Sequence, residues 1–218
     1  MTNEPMLLDT IDSDLTQRLT SRRGLFGRAA MTLGAVASAP VVLAVASREA
    51  FGQVFPSQVS DVLNFALTLE YLEAEFYATA LATRGLIPAR DHAVFAQIGR
   101  HENEHVRLLT SALAGAAVTK PTFDFTARGQ YPDVFSNFET FALLSSTFED
   151  LGVAAYKRQA GNLQGTPVLT TALQIHSVEA RHAAEVRRVR RMLPWDGAFD
   201  QPKTKAEVLA AAGPFIAG

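Results

Sequence analysis

The feature that most constrains the fold of this chain is a four-residue pattern that occurs twice. In each copy a Glu is followed seven residues later by a Tyr, and a Glu-x-x-His comes further along the chain. The first copy consists of Glu70, Tyr77, Glu102 and His105, and the second consists of Glu149, Tyr156, Glu179 and His182. The two Glu residues are 32 positions apart in the first copy and 30 in the second. Each copy therefore predicts a hairpin of two helices.

Helix geometry explains why the residues of one copy can share a site. An α-helix has about 3.6 residues per turn, so side chains three residues apart lie on one face. Glu102 and His105 can therefore approach the same ion, and the second Glu-x-x-His can do so from another helix. Seven residues make nearly two turns, which places Tyr77 on the stripe of Glu70. The tyrosine hydroxyls can thus bond to metal-ligating carboxylates.

The donor set indicates which metals could bind. Carboxylate oxygen and imidazole nitrogen suit divalent iron or manganese, whereas four unpaired carboxylates would be costly to bury. The sequence therefore predicts a centre of two iron or manganese ions with the ligands Glu70, Glu102, His105, Glu149, Glu179 and His182. In this prediction Glu70 and Glu149 bridge or cap the ions, and the two Glu-x-x-His pairs are end ligands. The sequence does not separate iron from manganese.

Several polar residues near these motifs have less certain roles. Glu73 lies three residues after Glu70 and could add a ligand, although a surface or hydrogen-bonding role is the preferred interpretation. His101 is predicted to be structural, on another helix face, and His176 to be a satisfied polar group near the bundle. Asp150 should point about 100° away from Glu149.

Composition favours one large folded domain. Of 218 residues, 48% are hydrophobic and 19% are charged, which is sufficient for a single core. The net charge of −2 gives no electrostatic basis for binding nucleic acid. Cysteine is absent, which excludes disulfides, iron–sulfur clusters and thiol catalysis. Redox chemistry would need metal or tyrosine.

Residues 1–50 are predicted to be an export signal and linker rather than part of the fold. Arg22 and Arg23 precede an uncharged stretch, 29–47, that is rich in Ala, Val and Leu. This arrangement resembles a twin-arginine signal, with cleavage after Ala46, and implies passage through the twin-arginine translocation machinery to the periplasm or cell envelope. The alternative is an uncleaved membrane anchor, since the stretch is close to the minimum length for spanning a bilayer.

The rest of the chain predicts an all-α fold. Apolar residues recur at three- and four-residue spacing, and turn residues divide the pattern into four helices between residues 51 and 194. The predicted helices run from Ser57 or Ser60 to near Gly85 and over about 91–115, 136–160 and 167–193. The long connection after the second helix predicts a crossover between two hairpins. Residues 195–218 should form a tail with a short helix, packed on the bundle.

Four segments carry a family resemblance, namely 69–77, 102–105, 148–156 and 179–182. They resemble the exported ferritin-like domain family that includes desiccation-related proteins, over about residues 55–217. The resemblance implies a ferritin-like four-helix bundle, with a Glu from each of two helices and a Glu-x-x-His from each of the other two. Ferritin-like bundles include ferroxidases, peroxidases, manganese catalases and proteins without known activity, so the fold alone does not fix the chemistry.

Two functional hypotheses follow. In the first, the protein is an exported di-metal oxidoreductase that acts on oxygen, peroxide or ferrous iron during oxidative stress, with no catalytic residue assigned beyond the ligands. In the second, it is a non-enzymatic envelope or desiccation-stress protein whose metal site is structural or vestigial. Assembly into a homo-oligomer is compatible with both.

Overall fold

The computed structural model describes residues 55–217. The predicted twin-arginine signal, and the possible membrane anchor within it, lie outside the described residues. Within 55–217, every helix is too short or too polar to cross a lipid bilayer.

Five α-helices make up most of the described chain. The four long helices are α1 (Ser57–Ala82), α2 (His92–Leu113), α3 (Phe138–Gln159) and α4 (Val168–Val189), and the short helix in the tail is α5 (Lys205–Ala212). Single 3₁₀ turns follow α2, α3 and α5, at Ala114–Ala116, Ala160–Leu163 and Gly213–Phe215. The all-α prediction is thus confirmed.

Local sequence signals explain several helix ends. Asn137 caps α3, because its side chain accepts a hydrogen bond of 3.0 Å from the Glu139 backbone N–H. The helix α4 ends four residues earlier than the sequence predicted. Its last turn closes with a hydrogen bond from the Met192 N–H to the Arg187 carbonyl, and Arg191 adopts a left-handed conformation with φ of 59°.

The direction of each helix follows from the two main apolar clusters, one at each end of the bundle. The first includes Val62 near the start of α1, Leu109 near the end of α2, Leu163 after α3 and Val168 at the start of α4. The second includes Phe76, Phe95, Phe141 and Val186 from the opposite ends of the same helices. Therefore α1 is parallel to α4, and α2 is parallel to α3.

This arrangement explains the long second connection. The helix α2 ends at one end of the bundle and α3 begins at the other, so residues 114–137 must run the length of a 22-residue helix, about 33 Å. The connection contains the two-residue strand β1 (Thr122–Phe123), which pairs in antiparallel register with β2 (Ile216–Ala217) at the end of the tail. The crossover and the tail are thus joined to each other.

The tail also contacts the bundle through α5. Val208 and Ala212 are fully buried and form a third apolar cluster with Phe65 of α1 and Leu151 of α3. Phe215 packs edge-on against Phe148, with ring centroids 4.9 Å apart. The tail therefore covers the outer side of α1 and α3.

Candidate metal centre

The middle turns of the four long helices supply a buried polar cluster between the two apolar clusters. Four glutamates are completely shielded from solvent, and the two histidines are 8% and 5% exposed; these residues are Glu70, Glu102, Glu149, Glu179, His105 and His182. The first and third helices each contribute one Glu, and the second and fourth each contribute a Glu-x-x-His. The structure therefore brings together all six residues singled out in the sequence.

Their side chains form two overlapping groups of possible metal ligands. One group is Glu70, Glu102, His105 and Glu179, and the other is Glu102, Glu149, Glu179 and His182. In each group one donor atom from every residue lies within 4.8 Å of the others. Two neighbouring groups with shared members are the arrangement that a two-ion site requires.

The two groups share two glutamates. Glu102 and Glu179 belong to both groups, whereas Glu70 and Glu149 belong to one each. Membership of both groups thus falls to the glutamates of the Glu-x-x-His pairs. They had been predicted as end ligands, with Glu70 and Glu149 bridging or capping the ions, and these roles stay predictions. The physical reason for the shared membership is the packing of α2 and α4, which places Glu102 and Glu179 between the two histidines; sequence spacing within one helix does not contain that information.

Several donor atoms in the cluster are buried without hydrogen bonds. They are Glu102 Oε1, Glu149 Oε2, both carboxylate oxygens of Glu179, and His182 Nδ1. His182 Nδ1 lies 2.8 Å from Glu102 Oε1 and 3.3 Å from Glu149 Oε2, yet neither approach has hydrogen-bond geometry. Polar atoms buried without hydrogen bonds are costly. Convergence without hydrogen bonds fits atoms that face a common cation.

The balance of charge points the same way. Counting Glu73, which is 2% exposed, five glutamates are buried together. Within residues 55–217 the ion pairs of these carboxylates involve only His105 and His182. Two imidazoles cannot neutralise five carboxylates. The site therefore lacks positive charge that a metal would supply.

Shifted pKa values record this shortage. Burial and the neighbouring carboxylates raise the pKa of Glu73 and Glu179 well above the usual range, and burial raises that of Glu102 to about 7. Burial by itself would lower the pKa of His182, but the carboxylates of Glu102 and Glu149 raise it to about 10. The cluster thus holds protons where a cation could replace them.

The two tyrosines of the repeated pattern bond to the ligands, as predicted, but to the opposite copy. The Tyr77 hydroxyl donates to Glu149 Oε1 at 2.5 Å, and the Tyr156 hydroxyl donates to Glu70 Oε1 at 2.6 Å. Each hydroxyl therefore fixes one oxygen of a carboxylate, and the exchange links the two hairpins across the centre.

His101 was predicted to be structural, on another helix face, and the structure places it in contact with a candidate ligand. Its Nδ1 lies 2.8 Å from Nε2 of His182, and the two rings stack with centroids 5.1 Å apart. A contact at Nε2 leaves Nδ1 of His182 to face the carboxylates, which is how a metal-ligating histidine is usually oriented. No sequence signal connected His101 with a residue 81 positions away.

Glu73 also lies closer to the centre than its preferred interpretation suggested. It is buried, and both its carboxylate and that of Glu179 lie beside Gly152, where an added Cβ would be 3.4 Å from Glu73 Oε1 and 3.0 Å from Glu179 Oε2. Gly152 follows Glu149 by three residues, as Glu73 follows Glu70. The second copy of the pattern thus leaves space that the extra carboxylate of the first copy occupies.

Other polar residues near the motifs stay outside both groups. Asp150 forms an ion pair of 2.8 Å with Arg187, and Glu104 forms one of 2.7 Å with Arg107. His176 is not a member of either group of possible ligands.

Comparison with known proteins supports the same fold. The model of the Ferritin-like domain family matches residues 58–192, which is more than half of the 218-residue chain and includes all six candidate ligands. No curated protein matches the chain.

Proposed function

The chain belongs to the ferritin-like domain family, and we propose that it binds two iron or manganese ions and uses them to handle dioxygen, peroxide or ferrous iron. The observation that supports this most strongly is the pair of overlapping, buried Glu/His groups, in which five donor atoms converge without hydrogen bonds. One ion would be held by Glu70 and His105 and the other by Glu149 and His182. Glu102 and Glu179 would contact both.

The proposed chemistry is reduction of an oxidant. Two such ions, when bound, would supply electrons and Lewis acidity for reducing dioxygen or peroxide. With ferrous iron as substrate, two ferrous ions are oxidised to the ferric state while one dioxygen is reduced to peroxide, or one peroxide to two waters, with two protons taken from solvent. With peroxide alone, one molecule is oxidised to dioxygen as another is reduced to water. Neither reaction needs a separate electron-transfer module.

The protein's own residues would prepare the site. The two apolar clusters exclude water from both ends, which strengthens electrostatic interactions between them. Tyr77 and Tyr156 would hold Glu149 and Glu70 in place, and His101 would orient His182. These contacts fix the donor atoms in advance of binding.

Metal content of the purified full-length protein tests the proposal. After anaerobic reconstitution we expect about two ions per chain, and the Glu179→Gln variant should lose most of them. Without added metal the same variant should melt at a higher temperature than the parent, because it removes a buried carboxyl group whose two oxygens accept no hydrogen bond. Glu185→Gln is a matched control, since Glu185 is exposed on the same helix.

The outcome separates the two functional hypotheses. Metal uptake followed by rapid consumption of oxygen or peroxide supports an oxidoreductase, whereas metal that stays bound without turnover supports a structural site. If the parent binds no iron or manganese, or if Glu179→Gln lowers the melting temperature without added metal, the metal proposal is wrong.

We further propose that residues 1–50 direct export through the twin-arginine translocation machinery. The support is the Arg22–Arg23 pair before an apolar stretch. Replacing both arginines with lysine should retain the full-length protein in the cytoplasm, as measured by cell fractionation and immunoblotting. Arg18→Lys, outside the pair, should not change its location; retention of that control as well would contradict the proposal.

A further inference from the structure

An apolar cavity lies at the end of the bundle where α1 and α4 begin. It contains about 20 Å³ of space open to the centre of a water-sized sphere. All four long helices contribute to its lining, through residues that include Val62, Ala66, Ala112, Tyr156, Ala172 and Ile175. Each of these six residues is at most 8% exposed, whereas Leu108 and Thr171, which also line the cavity, are half-buried. The cavity therefore lies between the helices and opens partly toward the surface.

The size and chemistry of the cavity restrict what can occupy it. A buried water needs about 10–15 Å³ measured in this way and two to four polar partners. The space is large enough for one small molecule, but almost no polar surface faces it, although Gln159 and Thr171 are among the lining residues. The Tyr156 hydroxyl is already engaged with Glu70. A cavity of this kind stays dry and accepts apolar guests of atomic or diatomic size.

Its position connects it with the buried cluster. The Tyr156 ring lines the cavity, while the Tyr156 hydroxyl donates to Glu70 Oε1 at 2.6 Å. One side chain thus separates the apolar space from a carboxylate of the candidate metal centre.

The opposite end of the centre is packed differently. Tyr77 occupies the equivalent place in the repeated pattern, but it is fully buried. Its ring lies among Phe76, Phe95 and Phe141, with centroid separations of 5.6, 6.2 and 6.2 Å. Aromatic rings fill the space at the Tyr77 end, whereas an apolar void remains at the Tyr156 end. The two copies of the pattern therefore differ in access.

We propose that the cavity is a binding site for dioxygen, and that dioxygen reaches the centre from this end of the bundle, past Tyr156. The proposal rests on the proposed function for the destination of the gas, although occupancy of the cavity does not depend on metal. Hydrogen peroxide is polar and would lose hydrogen bonds to water on entering the cavity. The cavity thus distinguishes between the two oxidants.

Xenon provides the first test, because it is apolar, monatomic and visible by anomalous scattering. Crystals of the protein pressurised with xenon should show one site between Ala66, Ala172 and Tyr156. The variants Ala66→Met and Ala172→Met should lose that site, because each adds a side chain to the space. Ala142→Met is the matched control, since Ala142 is a buried α3 alanine that does not line the cavity.

The second test measures rates with ferrous-loaded protein. Filling the cavity should slow the reaction with dioxygen by about tenfold, or about 1.4 kcal/mol of barrier, without changing the rate with hydrogen peroxide or the metal content. Ala142→Met should not change either rate. If either Ala66→Met or Ala172→Met does not fold, the other is measured. Ala112→Val provides a third variant, with a smaller added side chain.

Several results would overturn the proposal. Absence of xenon from the parent cavity would contradict binding, and unchanged dioxygen rates in variants that exclude xenon would contradict the route. Equal slowing with both oxidants would indicate damage to the centre instead. If the protein binds no metal, the proposed function fails, and xenon occupancy still decides whether the cavity binds gas.

Discussion

At the scale of single residues, the centre depends on pairs that join the two hairpins. Tyr77 reaches Glu149 across 72 positions of sequence, and Tyr156 reaches Glu70 across 86. A hydrogen bond to a carboxylate is worth more than one between neutral groups, and its loss leaves a buried oxygen unpaired. These two contacts therefore contribute both to stability and to ligand geometry.

Removing one of these hydroxyls should weaken the fold and the site together. For Tyr77→Phe or Tyr156→Phe we expect the free energy of unfolding to fall by about 1.5–3 kcal/mol and metal affinity to fall about 10- to 100-fold. Urea unfolding and metal titration measure the two effects. Tyr71→Phe is the control, because its hydroxyl lies 3.5 Å from Thr110 Oγ1, too far for a strong hydrogen bond. An equal loss in that control would contradict the argument.

Gly152 provides a second residue-scale prediction. In Gly152→Ala the new Cβ would lie 3.0 Å from Glu179 Oε2, so that carboxylate must shift by a few tenths of an ångström. Alanine favours a helix over glycine by about 0.5–1 kcal/mol, which offsets the crowding. We therefore expect a nearly unchanged free energy of unfolding without metal but about 10- to 100-fold weaker metal binding.

The control for this change is Gly161→Ala. No side chain or backbone atom lies within 4 Å of a Cβ added at Gly161. Metal affinity should stay at the parent value there, as measured by the same titration. Full metal affinity in Gly152→Ala would show that the space beside Glu179 is not needed.

At the scale of elements, the short helix α5 depends on its cap more than the long helices do. Eight residues are too few for a stable isolated helix. Thr204 and Glu207 form a capping box, in which Glu207 Oε2 accepts hydrogen bonds of 2.7 Å from both the Thr204 N–H and its hydroxyl. The cap thus holds the helix in position to bury Val208 and Ala212.

Loss of the cap should be measurable by thermal unfolding. Thr204→Ala should lower stability by about 1 kcal/mol, or roughly 2–4 °C in Tm.

Hydrogen bonds from Thr204 lower the pKa of the Glu207 carboxyl below its ordinary value. The stability that these hydrogen bonds add is fully present above the ordinary pKa of a glutamate carboxyl. It is lost as the pH falls through the lowered pKa of Glu207. The Tm difference between the parent and Glu207→Gln should therefore shrink on acidification; an unchanged difference would contradict the pKa argument.

At the scale of the whole molecule, the tail closes the crossover onto the bundle. The strand β2 pairs with β1, and Phe215 contacts both Tyr131 of the connection and Phe148 of α3. The Phe215 carbonyl also accepts a hydrogen bond of 2.8 Å from the Asp124 N–H. One segment thus contacts the connection and a helix of the second hairpin.

Phe215→Ala should therefore destabilise the whole domain. Phe215 is 4% exposed, and truncation of a buried phenylalanine costs about 3–5 kcal/mol. Urea unfolding measures the loss, and limited proteolysis should cut first within residues 114–137. Phe199→Ala is the control, since that ring is 82% exposed. Cleavage in the same order as in the parent would show that the tail does not restrain the crossover.

The sequence by itself determined the helices and the six candidate ligands. Both follow from local periodicity, since residues three, four and seven apart must share a face once a helix forms. The length of the second connection likewise indicated a crossover. Helix ends were less accurate, as at Val189, where a turn in the left-handed region stops α4 before the predicted end.

Only the tertiary structure decided how the faces meet. It paired each tyrosine with the glutamate of the other copy, placed Glu102 and Glu179 in both groups of candidate ligands, and brought His101 and Glu73 close to them. It also left a cavity beside Tyr156 while filling the space around Tyr77. These outcomes depend on the distance and rotation between helices that are far apart in sequence, and the period of a single helix carries no record of either.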